Sequence, residues 1–406
     1  MDFPKLRGVE AFPVTVSEHK MIALRDPMSF SNDVIAVPQH LYLALTLLDG
    51  RHSLTDIQAE YMRRFGELLY KDILEDLVNK LDAGLFLDNE NFHQKRRQIE
   101  DDFRKAKARQ AALAGKSYSA SSPELAGQIN GFFTHADGPG LPDPEKKGNT
   151  LKGIIAPHID FIRGGPCFAW GYKEVVEQSD ADVFVIFGTA HAPTRLPFAV
   201  THKDFETPFG TLPCNREFVK DIQQRAECDF LEDEFAHRAE HSIEFQTVLL
   251  SYLFKNWKRI SIVPVLCGSF HEMVGSHARP RDDTRVKGFI DAIRATAASR
   301  NGKICYVAGA DLAHVGPRFG DRNPISENFL RLLHADDLRM LAHLERADAD
   351  GFFGNIDSDG DRRKICGLPP IYTMLSVMNA ATGKLLKYQQ WPDPQGTVTF
   401  ASMAFY

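Results

Sequence analysis

No stretch of about 18 consecutive apolar residues occurs in the 406-residue sequence, so no membrane-spanning helix is expected. The opening segment MDFPKLRGVEAFPVTVSEHK lacks the basic start and unbroken apolar core of a signal peptide, which points to the cytoplasm. A C-x-x-C pair is missing too. The six cysteines, at 167, 214, 228, 267, 305 and 366, are scattered through a chain long enough to build a core without covalent staples. They read as reduced thiols, five of them as packing residues. Neither charge sign dominates: 48 Lys and Arg face 54 Asp and Glu, and the formal net charge of −6 gives no electrostatic reason for a nucleic-acid partner. The sequence also has no internal repeat and no H-E-x-x-H signature of a zinc hydrolase.

What is present is a globular composition at a length that exceeds one ordinary domain, so two domains are expected. Residues 1–92 read as a small winged-helix-like α+β unit. VIAV (34–37) is a strand, Pro38 to Leu48 a helix, and Asp49-Gly50 a turn. A second helix starts at Ser53 or Thr55 and carries Ile57, Tyr61 and Phe65 before Gly66. A third, over 68–83, carries Leu69, Ile73, Leu77 and Leu81, followed by Gly84 and the short strand LFLD. Residues 1–95 hold 10 Lys and Arg against 15 Asp and Glu, the wrong sign for a phosphate surface, so peptide or protein docking is expected ahead of DNA. Residues 93–116, with charges alternating at helical spacing, read as a linker helix, and 117–406 as the main domain.

Beyond residue 150, the apolar runs GIIA (153–156), VFVIFG (183–188), ISIVPVL (260–266) and ICYVAGA (304–310) alternate with helical patterns near 164–178, 241–256, 285–299 and 324–346. This predicts an α/β fold with a largely parallel central sheet covered on both faces, closed by a hairpin of LLKYQQW and TVTFASMAFY.

In such sheets, ligands bind beyond the carboxyl ends of the strands. His158 follows GIIA, His191 follows VFVIFGTA, and Asp311 and His314 follow ICYVAGA, so three of four strand ends carry a histidine. A lone histidine there is more often structural, but several imidazoles with a carboxylate make a donor set suited to Fe(II), Zn or Mn. Cys366, in KICGLPPIYTML, precedes an apolar helix and reads as a metal thiolate, a nucleophile or a small buried residue. His241 and Glu244 are acid/base candidates or the start of a structural helix, and the loop TPFGTLPCN (207–215) reads mainly as structural.

The motifs RQAALAGKSYS (109–119), IIAPHIDF (154–161), FGTAHAP (187–193), ETPFGTL (206–212), EHSIEFQ (240–246), ADLAH (310–314) and ICGLPPI (365–371) run in an order that closely resembles the Memo family. In prokaryotes this class is called protein B of the AmmeMemoRadiSam system. The resemblance implies the LigB-like fold of the class III extradiol dioxygenases and a metal pocket of His158, His191, Asp311, His314 and Cys366, with His241 and Cys366 as catalytic candidates. Iron is the metal implied first, copper or zinc the alternatives. Hydroxyls usual in the family are absent here: Arg163 stands in IDFIRGG, Thr189-Ala190 precedes the second histidine, and Gly309-Ala310 precedes the aspartate. The run from LRDP (24–27) through LLDGRHSLTDI (47–57) resembles PqqD-like peptide-binding modules, which implies a peptide or protein substrate and radical-SAM or other AmmeMemoRadiSam partners. Three functions stay open: a dioxygenase-like metal oxidoreductase, a non-catalytic peptide-binding module, and a Zn- or Cys-dependent hydrolase.

Overall fold

A computed structural model describes residues 2–146, 148–255, 258–276, 278–300 and 302–406; residue 256, the end of the helix expected over 241–256, lies outside the described residues. The chain divides into two compact units, Met1–Lys105 and Ala106–Tyr406.

In the first unit, β1 (Glu10–Val16), β2 (His19–Arg25) and β3 (Val34–Pro38) form an antiparallel sheet in that order. Only β3 is legible in advance, because β1 is mostly exposed and joins β2 through Ser17 and Glu18 at positive φ, without the Asn-Gly or Asp-Gly signal of a tight hairpin. Helices Tyr42–Leu47, Leu54–Phe65, Lys71–Ala83 and Glu90–Lys105 follow. Ser53 caps the second of these through a reciprocal bond with Asp56, and Gly66 ends it at φ 72°. Ser53→Ala is expected to destabilise this unit by about 1 kcal/mol. The readout is the urea midpoint of the full chain, and an unmoved midpoint would show the cap to be idle.

Helix Lys71–Ala83 buries Leu74, Leu77, Val78 and Leu81, whereas Ile73 is 39% exposed. Steps of four drift off a face that repeats every 3.6 residues. LFLD makes a single bridge, Leu6 to Leu87, instead of a strand. The charged helix stops at Lys105 instead of continuing to Lys116. From Ala106 the chain belongs to the larger unit, where Ala108–Arg109 forms β4 and the Arg109 side chain is buried.

The larger unit is built on β5 (Gly153–Ala156), β6 (Val183–Thr189), β7 (Phe198–Val200), β8 (Asp204–Thr207), β9 (Gly210–Leu212), β10 (Ser261–Cys267), β11 (Ile304–Gly309), β12 (His314–Val315), β13 (Gly383–Trp391) and β14 (Thr397–Phe405). Eight of these form one sheet, ordered β12-β14-β5-β11-β6-β10-β7, with β13 also paired to β14. Strands β5, β11, β6 and β10 are parallel, while β7, β12, β13 and β14 pair antiparallel. The sheet is therefore mixed, not largely parallel. Continuous apolar runs report burial on both faces, but strand direction is set by connections that leave no such pattern. The C-terminal hairpin forms as expected, with β13 against β14.

Side chains alternate across this sheet. Val185 and Phe187 enter one core with helices Arg216–Arg225, Thr284–Ala298 and Leu368–Val377, while Phe184 and Ile186 enter the other with helices Ser122–Thr134, Phe161–Gln178 and Glu244–Phe254. Both faces are thus covered. Strands β4, β8 and β9 make a separate small sheet, which absorbs the TPFGTL segment as a hairpin.

Candidate metal centre

Because β5, β11 and β6 are parallel neighbours, the loops after them open at one end of the sheet. His158, Asp311 and His191 stand on those loops. His158 is buried, and its Nδ1 lies 2.9 Å from the Gly309 carbonyl oxygen. A carbonyl only accepts, so Nδ1 carries the hydrogen and Nε2 keeps its lone pair. Around Nε2 lie Cys366 Sγ at 3.3 Å and Asp311 Oδ2 at 3.7 Å. The other Asp311 oxygen accepts the His158 main-chain N–H at 2.9 Å, which locks the two loops together.

Glu240 organises the remaining side. Its Oε1 lies 3.0 Å from His191 Nδ1 and 3.1 Å from His241 Nδ1, and its Oε2 accepts the His191 main-chain N–H at 2.9 Å. The main-chain N–H groups of His241 and Ser242 also donate to Oε1, at 2.8 and 3.0 Å. With both Nδ1 atoms held, Nε2 is the free nitrogen on each ring. The rings of His191 and His241 stack at 4.5 Å, and His158 stands edge-on to them at 5.1 and 5.2 Å.

One ring nitrogen from each of His158, His191 and His241 lies within 4.8 Å of the other two; among the described residues, no other group of His, Cys, Asp or Glu does this. Metal–nitrogen bonds of about 2.1 Å bring neighbouring nitrogens to about 3.0–3.4 Å, so a small inward movement would complete the site. Three imidazoles, each held at one nitrogen by an oxygen acceptor and free at the other, are the donor set that protein metal sites use. The residues fit a transition metal.

The charges agree with this arrangement. Burial, with His191 and His241 nearby, holds the His158 imidazole well below its ordinary value, so it is neutral and able to donate. Burial raises the Asp311 carboxyl to about 6 against the pull of the main-chain N–H groups of His158 and Ile159. Burial and the Asp311 charge push the Cys366 thiol well up, so without a metal it stays protonated beside His158 Nε2. Burial acts to raise Glu240, but His191 and His241 outweigh it and hold the carboxylate well below its usual range.

Not every expected residue converges. His314 opens β12, with Nδ1 3.2 Å from the Leu312 carbonyl, a further hydrogen bond to the Lys364 main chain, and its ring edge-on to Phe319. It stands outside the three-imidazole group, and burial lowers it to about 4. Glu244 is fully buried 2.5 Å from Arg109 Nη1 and accepts from Ala112 N, Leu113 N and the Tyr118 hydroxyl, so it is structural. Arg163 bonds Asp160, which caps helix Phe161–Gln178, and Thr189 Oγ1 donates to the Cys366 carbonyl at 3.0 Å. Glu240 was missed by sequence reasoning. Its signal was its place directly before His241 in EHSIEFQ, a position that spacing rules for helices do not weigh.

The model of the Memo-like protein family matches residues 109–403. A MEMO1 family protein of Aquifex aeolicus is 28% identical over 393 residues, covering 94% of this chain and 95% of that protein. Another, from Caldivirga maquilingensis, is 30% identical over 307 residues, covering 73% of this chain and 99% of its own length. The matched span contains all three converging histidines, Glu240, Asp311 and Cys366, and the chain belongs to the Memo family.

Proposed function

We propose that this chain binds one transition-metal ion through His158, His191 and His241, with Asp311 and Cys366 as further donors beside His158, and uses it for redox chemistry. The observation that carries this reading is the shared tethering of the three imidazoles. Two Nδ1 atoms meet one Glu240 carboxylate and the third meets the Gly309 carbonyl, so the remaining nitrogens are presented together. Iron is the first candidate and copper the second, since imidazole, carboxylate and thiolate suit both, and either would supply one-electron chemistry with positions open to dioxygen or substrate.

The chain's own groups divide the remaining work. Glu240 orients two rings. Asp311, its Oδ1 held by the His158 main-chain N–H, turns Oδ2 toward His158 Nε2, where it would donate to the ion. Burial of His158 and Asp311 keeps water from the inner wall, while the His191 side chain, 42% exposed, faces the side from which a substrate enters. The acidic, PqqD-like first unit would dock a peptide or protein substrate, in a modifying system with a radical-SAM partner. The 3.3 Å contact of Cys366 Sγ with His158 Nε2 favours one second reading, a thiol hydrolase, but the raised thiol counts against it.

The test is metal analysis of protein purified and reconstituted without oxygen. About one ion per chain is expected in the wild type, with at least about tenfold weaker binding in His241→Ala, Asp311→Ala and Cys366→Ala. No uptake of any transition metal would overturn the reading in favour of peptide binding alone. Ester hydrolysis lost only in Cys366→Ala would favour the hydrolase.

A further inference from the structure

The loop that delivers Asp311 is joined to β14 by main-chain bonds, whereas the loop that delivers Cys366 lies outside the strands, so side-chain bonds bear on how the two are held together. They are bonded to one another and to a buried polar cluster behind the site. The His314 main-chain N–H donates to the Arg363 carbonyl at 2.8 Å, and Leu312 N donates to the Thr399 carbonyl at 2.8 Å. Ala313 N donates to Thr399 Oγ1 at 2.9 Å, and that hydroxyl donates in turn to Asp337 Oδ2 at 2.6 Å.

Asp337, on helix Glu327–Glu345, is fully buried. Its Oδ1 accepts Arg363 Nη1 at 2.8 Å, and its Oδ2 also accepts the Tyr388 hydroxyl at 2.9 Å. Arg363, itself buried and three residues before Cys366, reaches Asn355 Oδ1 with Nη2 at 3.0 Å. One carboxylate thus gathers a helix, both strands of the C-terminal hairpin and the approach to Cys366. Through Thr399 it also reaches the approach to His314. A buried ion pair of this kind adds little net stability over apolar packing, but its hydrogen bonds are directional.

Resting on the reading that Asp311 and Cys366 belong to the metal site, we propose that Asp337 is a positioning residue, whose carboxylate holds their two loops in register and thereby sets thiol access and metal affinity. It touches no candidate donor. Asp337→Asn keeps the shape and removes the charge that Arg363 requires, whereas Thr399→Val cuts the link from Asp337 to the Ala313 main chain and keeps the Asp337–Arg363 pair.

Both variants, with folding checked by circular dichroism, are stripped of metal and labelled with N-ethylmaleimide. Modification of Cys366 is then followed by peptide mass mapping against Cys228, the other half-buried cysteine. Metal affinity is measured separately. About tenfold faster Cys366 labelling and about tenfold weaker metal binding are expected in both variants, with Cys228 unchanged. Wild-type labelling of Cys366 in a folded variant overturns the proposal, and Thr399→Val decides if Asp337→Asn does not fold. A wild type that takes up no metal sinks the metal reading alone, because the labelling rates still test the clamp.

Discussion

Glu240→Gln is expected to weaken metal binding about a hundredfold or more, the largest loss from any residue that does not itself face the ion. Removing one outer partner of a ligand histidine typically costs about 10–100-fold, and Glu240 serves His191 and His241 together. It also accepts three main-chain N–H groups, from His191, His241 and Ser242. A glutamine offers one acceptor oxygen where two are in use, and its amide turns a donor toward a donor. The rings would then be free to rotate, and either nitrogen could face the pocket. Competition with a chromophoric chelator measures the loss, and a change below about threefold would mean that the imidazoles hold their orientation without this carboxylate.

Arg109→Ala is expected to destabilise the larger unit by about 3–5 kcal/mol, because it strands the charge of Glu244 in the interior. The pair is 2.5 Å apart, with side chains 1% and 0% exposed. Arg109 also donates to the carbonyls of His237 at 2.8 Å and Glu240 at 2.7 Å, so its loss loosens the segment that carries His241. Arg109→Met combined with Glu244→Gln should recover part of the loss, since no charge is left buried, while the amide keeps one acceptor oxygen for the two main-chain N–H groups of Ala112 and Leu113. Urea unfolding of the three proteins checks this. A single-variant loss under about 1 kcal/mol would place the stabilising role elsewhere.

The fold was legible where burial writes a pattern. GIIA gives β5 residue for residue, and VFVIFG, ISIVPVL and ICYVAGA give β6, β10 and β11 to within one residue at either end. The helices expected near 164–178, 285–299 and 324–346 form as Phe161–Gln178, Thr284–Ala298 and Glu327–Glu345. TVTFASMAFY was legible as a strand of the closing hairpin, but its antiparallel pairing with β5 was not, and neither was β7 beside β10, since an apolar run carries no arrow.

Within the site, His158, His191 and Asp311 could be placed near one another because each follows a buried strand by a few residues. Cys366 could not be placed by that argument; only the match to the ICGLPPI motif brought it forward, and the fold sets its sulfur 3.3 Å from a ring 208 residues away. Which nitrogen a histidine turns outward depends on its acceptor, and the acceptor for His191 is 49 residues distant. The same dependence explains His314, whose strand-end position resembles that of His158 but whose ring bonds the main chain of both Leu312 and Lys364.

Metal capture by the nitrogens of His158, His191 and His241 is tested most directly by X-ray absorption at the metal edge of the reconstituted protein. Scattering from three imidazole rings is expected, with a sulfur contribution that disappears in Cys366→Ala. A first shell of oxygen without imidazole scattering, or an identical spectrum from His241→Ala, would contradict it.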